Sequence, residues 1–405
     1  MDKKKKLLIG LVSVGVVLIL MAIAIGGGYA QPAPAKPIKI GFIADYTGYL
    51  NVFHKDFING LEMRLEEAGW KVAGRPIKLI TEDGATDPIV SVDKTKKLID
   101  KDNIDVFIAP VGSPQDAVWS YLRENGIKIY SMTVAGRTPI EVASGFGPNV
   151  RAVFPGGALD EYTDCCGVYA YNSMGARTAS ILFSEYVMCN FFATDITKSF
   201  TELGGKILQT LYVPIGTADY GPYLAKLKKA DCLFFWTESG AGTANFVKQY
   251  KDFGFKMPIV MPMATALSPS PDLVEFGDVL LGLRGLQPYG WHTGYPPSEK
   301  FLEDYKSRYG ILPGAFAAGA YINASVILAA LEATGGDTDP KKLYEATLRL
   351  EMETPQGALY FTSDLGFGIH SEFMCEVQKI GDEYVWTPLK EYPEVSYTGA
   401  KRLGK

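Results

Sequence analysis

Residues 106–114 read Val106-Phe107-Ile108-Ala109-Pro110-Val111-Gly112-Ser113-Pro114. The apolar run Val106 to Ala109 has the length and β-branched character of a strand buried on both faces. Ser113 fits an N-cap, Pro114 the first helical position and Asp116 the acidic member of a capping box, so a helix starts here. Asn125-Gly126 stops that helix, and Ile127 to Ser131 reads as a second strand ending in Met132-Thr133-Val134-Ala135-Gly136. Strand, helix and strand in this order form a βαβ unit, and such units build parallel sheets. Two strand ends therefore bring the hydroxyls of Ser113 and Thr133 to one edge of a sheet. In open α/β sheets that edge is where ligands bind, and a helix N-terminus there favours an anion or a carbonyl oxygen. Ser113 has two readings at this stage: a cap for its own helix, or a ligand group.

The same alternation extends outward. Strand 38–44, helix 51–68, strand 76–81 and helix 88–101 precede the opening stretch. Phe57, Leu61, Leu65 and Ala68 recur at helical spacing on the first helix. After Phe154-Pro155-Gly156-Gly157 the pattern restarts, with strands expected at 178–184, 206–213, 231–237 and 257–261. The helices between and beside them fall at 158–174, 190–203, 219–229 and 243–253. Leu281 to Gln287 reads as a further strand, 297–309 as a helix, and 372–388 as a hairpin. The Ala-rich helix 315–333 is apolar on nearly every side, so it must be buried or packed in an interface. Two doubly wound α/β sheets follow.

With 405 residues, 47% hydrophobic and 21% charged, the chain can form two full cores. Lys3 to Lys6, the uncharged run Leu7 to Ile25 and Gly28-Tyr29-Ala30 have the order of an export signal, with cleavage expected after Ala30. The run is also long enough to remain as a membrane anchor. Residues 31–37 form a Pro/Ala tether. Without residues 1–30 there are 36 basic and 44 acidic side chains, net −8, and no basic stripe, which argues against nucleic acid. The three His, at 54, 292 and 370, lack metal-ligand spacing. The five Cys, at 165, 166, 189, 232 and 375, contain no C-x-x-C and read mostly as buried thiols.

No enzyme signature stands out. There is no G-x-S-x-G, H-E-x-x-H or phosphate-binding P-loop. Gly240-Ala241-Gly242 is half of a dinucleotide fingerprint, but Asn245 stands where its third Gly belongs. Neither a cofactor nor a metal is expected.

The motifs in order are Ile38-Lys39-Ile40-Gly41-Phe42-Ile43-Ala44, Thr47-Gly48, Asn59-Gly60 and Gly74-Arg75-Pro76-Ile77. Glu82-Asp83-Gly84-Ala85-Thr86-Asp87-Pro88, Glu124-Asn125-Gly126-Ile127 and Ser131 follow. As a set they resemble the type I periplasmic solute-binding proteins of ABC transporters, in the branch that binds leucine, isoleucine and valine. The resemblance spans residues 38–390. It implies two doubly wound lobes joined by a three-crossing hinge. Lobe one would be 38–154 plus 286–354, and lobe two 155–285 plus 355–405. It also implies a small-molecule ligand caught between the lobes, a membrane permease as partner, and a monomer outside the cytoplasm.

The resemblance implies site residues one at a time. Ser113 falls where a serine holds the ligand carboxylate, and Thr133 where a backbone carbonyl takes the ammonium. Ala135 stands where a threonine clamps the amino-acid head group, and Met263 where an acidic residue pairs with the ammonium. Phe53 and Tyr186 fall at aromatic positions. Thr86 and Val111 replace two cysteines that some members join. An unpaired buried ammonium costs several kcal/mol, so these departures favour a small carboxylate or amide with an apolar or aromatic body. Trp119 and Trp291 are further candidates for packing on that body, and Glu185 and Glu238 for its far end. Trp236, on an apolar strand, reads as core. A true branched-chain amino-acid carrier and a membrane-anchored sensor are the alternatives.

Overall fold

The computed structural model describes residues 35–48, 50–133, 150–153, 163–237, 239–264, 267, 270–361 and 366–395. The export segment, most of the tether, Ala135 and Glu238 lie outside these. The described residues from Pro37 onward form one compact unit.

Two sheets organise that unit. The first contains β1 (Ile38–Ala44), β2 (Lys71–Val72), β3 (Arg75–Asp83), β4 (Val106–Ala109), β5 (Ile129–Thr133) and β6 (Val150–Val153), in the order β2-β3-β1-β4-β5-β6. All neighbours are parallel except β2, which makes a short antiparallel hairpin with β3. Five helices cover it: α1 (His54–Glu67), α2 (Pro88–Asp100), α3 (Ser113–Glu124) and, from later in the chain, α10 (Ala315–Ala333) and α11 (Pro340–Thr347), whose Thr347 hydroxyl bonds the Tyr130 hydroxyl of β5 at 2.7 Å. For α2 the signal is local: Asp87 Oδ1 accepts from the backbone N–H of Ile89 and Val90 at 2.8 and 2.9 Å, with Pro88 in the first turn.

The second sheet is built from β7 (Thr178–Ser184), β8 (Lys206–Val213), β9 (Cys232–Trp236), β10 (Ile259–Met261) and β11 (Arg284–Gln287) in parallel. On the β11 side it continues antiparallel through β12 (Glu351–Thr354), β13 (Gly357–Phe361), β14 (Gly368–Ile380) and β15 (Glu383–Val395). The path is β12-β13-β14-β11-β10-β9-β7-β8, with β15 on β14. Its helices are α4 (Asp164–Val168), α5 (Val187–Glu202), α6 (Gly221–Leu224), α7 (Gly240–Asp252), α8 (Ser270–Phe276) and α9 (Pro296–Tyr309), the last in the chain's crossing from β11 to β12.

Helix α10 is the apolar helix of the sequence, and it is a buried core helix. It meets α1 so closely that a Cβ on Gly60 would lie 2.1 Å from the carbonyl oxygen of Ala317. A glycine is required there for close approach.

Several local expectations are corrected. Helix α3 begins at Ser113 itself, and its N-cap is Gly112, at φ 77° and ψ −148°. That is backbone open essentially to glycine alone, so the turn before the helix carries the chain reversal and Ser113 is not the cap. The helix expected at 158–174 is, within the described residues, one α turn followed by a π-helical turn at Tyr169–Ser173. The helix at 219–229 shortens to Gly221–Leu224, with Tyr220, Leu224 and Leu227 buried in the core. All five cysteines are buried, and none of them is in a disulfide.

Candidate ligand-binding site

Each sheet has one place where the chain order reverses. In the first sheet it lies between β1 and β4, which are paired through Phe42 and Ile108. In the second it lies between β7 and β9, paired through Phe183 and Trp236. Loops leaving the strands on either side of such a point diverge and leave a crevice at the carboxyl edge.

The crevice edge of the first sheet is polar and internally bonded. Asp83, at the end of β3, accepts the N–H of Tyr46, Thr47 and Ala85 at 3.1, 3.2 and 2.9 Å and the Thr47 hydroxyl at 2.8 Å. Partial burial pushes its carboxyl up, but these four donors outweigh that and hold it below the usual range. Asp45, at the end of β1, is buried and accepts the Thr86 N–H at 2.8 Å. Burial dominates there, and its carboxyl is pushed up to about 6. Ala85 and Thr86 both hold left-handed backbone, at φ 52° and 51°. A Cβ on Gly48 would meet the Ala85 carbonyl at 2.2 Å, so the loops after β1 and β3 are interlocked.

Beside this network, Phe53 packs edge-on against Phe316 of α10 at 4.7 Å, and Phe57 lies 5.0 Å from the same ring. Gly112 and Ser113 follow β4; the Ser113 side chain lies outside what is described. Thr133 ends β5, and its carbonyl accepts from Asn323 Nδ2 at 2.9 Å. The position at which the resemblance puts an ammonium is therefore already served by a protein donor.

The edge of the second sheet is different in kind. Ser184 and Thr237, at the ends of β7 and β9, share a hydrogen bond of 3.2 Å. Glu185 is exposed, with its backbone N–H on the Val213 carbonyl. Half-buried Tyr186 stacks on Trp236 with centroids 5.9 Å apart and planes at 19°, and Phe192 of α5 meets the same indole edge-on at 5.9 Å. Trp236 is only 3% exposed, yet its indole Nε1–H has no hydrogen-bond partner among the described residues. Gln287, at the end of β11, is 1% exposed, and neither amide atom has a partner among them. Met263, just past β10, is half-buried against the apolar core.

Of the residues singled out in the sequence, Phe53, Thr133, Glu185, Tyr186 and Met263 stand at these strand ends. Two tryptophans do not. Trp119 has no exposed surface: it lies in the cluster that α2 and α3 make with the back of the first sheet, its ring N–H 3.4 Å from Ser131 Oγ. Trp291 is buried too, with its ring N–H donating to the Pro313 carbonyl at 2.8 Å. Both are core side chains; their ring nitrogens are satisfied inside the protein, leaving nothing to offer a solute. Trp236 is the reverse case. It reads as core because its strand is wholly apolar, but it is the last residue of that strand, beside the reversal point. Strand order, not composition, marks it out.

A family model described as periplasmic binding protein matches residues 37–382. The chain belongs to this family. As a periplasmic binding protein of the ABC-transporter type it works outside the cytoplasm and binds a small molecule. This binding protein is similar, at 26% identity, to an ABC transporter substrate-binding protein from Sphaerobacter thermophilus, over 89% of this chain and 99% of that one, with a TM-score of 0.80. It is 25% identical to the Leu/Ile/Val-binding protein homolog 6 of Brucella melitensis, across 90% of this chain and 94% of the relative. A solute-binding protein from Rhodopseudomonas palustris solved with 3,4-dihydroxybenzoic acid shares its fold: TM-score 0.78 and 23% identity over 89% and 98% of the two chains.

Proposed function

We propose that this periplasmic binding protein delivers a small aromatic carboxylate to a membrane permease. The observation that carries this reading is the exchange at the head-group positions. Met263 offers no charge to an ammonium, and the Thr133 carbonyl is engaged by Asn323. An α-amino acid would bury its ammonium there against a strong penalty. A carboxylate without an amine meets no such penalty. It would sit at the start of α3, near Ser113 and the backbone N–H groups of that helix end. The rings of Phe53, Phe316 and Tyr186 would pack on its body. The Rhodopseudomonas protein binds a ligand of this class.

In this reading the lobes are 38–154 plus 286–354 and 155–285 plus 355–405, joined by crossings near residues 154, 286 and 354. They close on the solute, and the closed shape is what the permease recognises, since the solute favours the form to which it binds better. Residues 1–30 act as the export signal, and the mature protein works as a monomer.

Thermal unfolding with graded solutes tests the reading. Benzoate or a hydroxybenzoate raises the melting temperature with concentration, as RT ln(1 + [L]/Kd) requires, while leucine at the same concentrations does not. The Brucella relative's name makes leucine the competing solute. A leucine response without a benzoate response overturns the aromatic assignment.

A further inference from the structure

We infer that Trp236 is a specificity-determining residue, and that the solute it selects is an aromatic carboxylate with a polar acceptor, such as a hydroxyl, on the end of the ring opposite the carboxylate. The inference rests on the aromatic-carboxylate reading above and narrows it.

Three observations converge. Trp236 ends β9 at the chain reversal of the second sheet, directly across from Phe183 on β7. It is held rigidly, between the Tyr186 face and the Phe192 edge. Its Nε1–H is buried and unpartnered among the described residues. Buried donors without partners are uncommon in native proteins, because each forfeits its bonds to water. The other two buried tryptophans discussed above both spend this N–H on a protein oxygen. A donor kept open at a crevice edge has its acceptor outside the chain. Tyr186 stacked on the same indole supplies a ring face for an aromatic body. A solute whose carboxylate lies at the first sheet's edge turns its opposite end toward the second sheet. A para oxygen there accepts from Trp236; a bare ring leaves the donor buried and unpaired.

The experiment is a calorimetric titration of the purified protein with benzoate, 4-methylbenzoate and 4-hydroxybenzoate, repeated on Trp236→Phe. The methyl and hydroxyl groups are close in size, so they separate hydrogen bonding from shape. The wild type should bind 4-hydroxybenzoate about tenfold more tightly than 4-methylbenzoate, a difference of about 1.4 kcal/mol. Trp236→Phe keeps an aromatic ring and loses the donor, so the preference should fall to below about threefold. If that variant does not fold, an indole-15N spectrum of the wild type serves instead: the Trp236 N–H resonance should shift with 4-hydroxybenzoate and stay put with 4-methylbenzoate. Equal affinity of the wild type for the two para-substituted acids, or a preference that survives in Trp236→Phe, overturns this inference and leaves the aromatic-carboxylate reading standing. Failure of all three acids to bind overturns both.

Discussion

The two crevice edges are built on opposite terms. At the first sheet's edge, Asp83 gathers four donors, Asp45 holds the Thr86 N–H and Asn323 occupies the Thr133 carbonyl. The second edge is aromatic and keeps groups in reserve, with Trp236 Nε1 and the Gln287 amide unpartnered among the described residues. The first edge is bonded within itself except at Asn323 Oδ1, a buried acceptor without a partner among the described residues, and it forms a rigid platform because each loop is over-determined by its bonds to the next. An edge with open valences is selective, because only a solute that fills them avoids the cost of leaving them empty. In the proposed reading, binding and discrimination sit on different sheet edges.

The largest expected effect tests whether the first lobe's tryptophan belongs to its core. Trp119→Ala should cost about 3–5 kcal/mol of stability in urea unfolding, with solute affinity unchanged at temperatures where the variant stays folded. A selective loss of affinity would move Trp119 from the core to the ligand wall and blur the contrast.

Next comes the proton inventory of the first lobe. Burial pushes Asp45 up to about 6, and Asp56 on α1 up to about 7 against a single opposing hydrogen bond from the Tyr305 hydroxyl. Each carboxyl binds its proton more tightly folded than unfolded. The resulting stability is full below about pH 4 and is lost as pH rises through 6 and 7, at most roughly 3 kcal/mol from Asp45 and roughly 4 kcal/mol from Asp56. Asp83, held low, works in the other direction and loses its contribution as the pH falls through its depressed value. Chemical denaturation from pH 4 to pH 8 should show declining stability, and Asp56→Asn should flatten that decline. A steady rise in stability over the same range, unchanged by Asp56→Asn, would contradict the assignment.

A smaller effect sharpens the start of α3. Gly112→Ala should destabilise the protein by about 1–3 kcal/mol, since its backbone lies where a Cβ is strained. The smallest is Ser113→Ala. Because Gly112 is the cap, stability should move by less than about 0.5 kcal/mol, while affinity for the carboxylate should drop roughly tenfold if the hydroxyl holds it. A loss of about 1 kcal/mol in stability with affinity intact would return Ser113 to the role of a cap.

Sequence alone determined the alternation of strand and helix, the parallel sheets and the family. Those are set by apolar period, by Pro and Gly punctuation and by caps such as Asp87, all written within a few residues of the place they act. It also brought Phe53, Thr133, Tyr186 and Met263 to strand ends, through order along the chain. Sequence could not sort the tryptophans. Trp119, Trp236 and Trp291 all come from apolar or glycine-bounded surroundings; on those alone Trp236 reads as core and Trp119 and Trp291 as candidates for a binding wall. Which ring nitrogen meets Ser131 Oγ and which meets the Pro313 carbonyl depends on residues 12 and 22 positions away, and the third has no partner among the described residues. The start of α3 was misjudged for a related reason: Ser before Pro signals a cap locally, but the backbone of Gly112 makes the turn. Local pattern fixes what an element is; the partner of each buried polar atom is chosen only when strands distant in sequence are laid side by side.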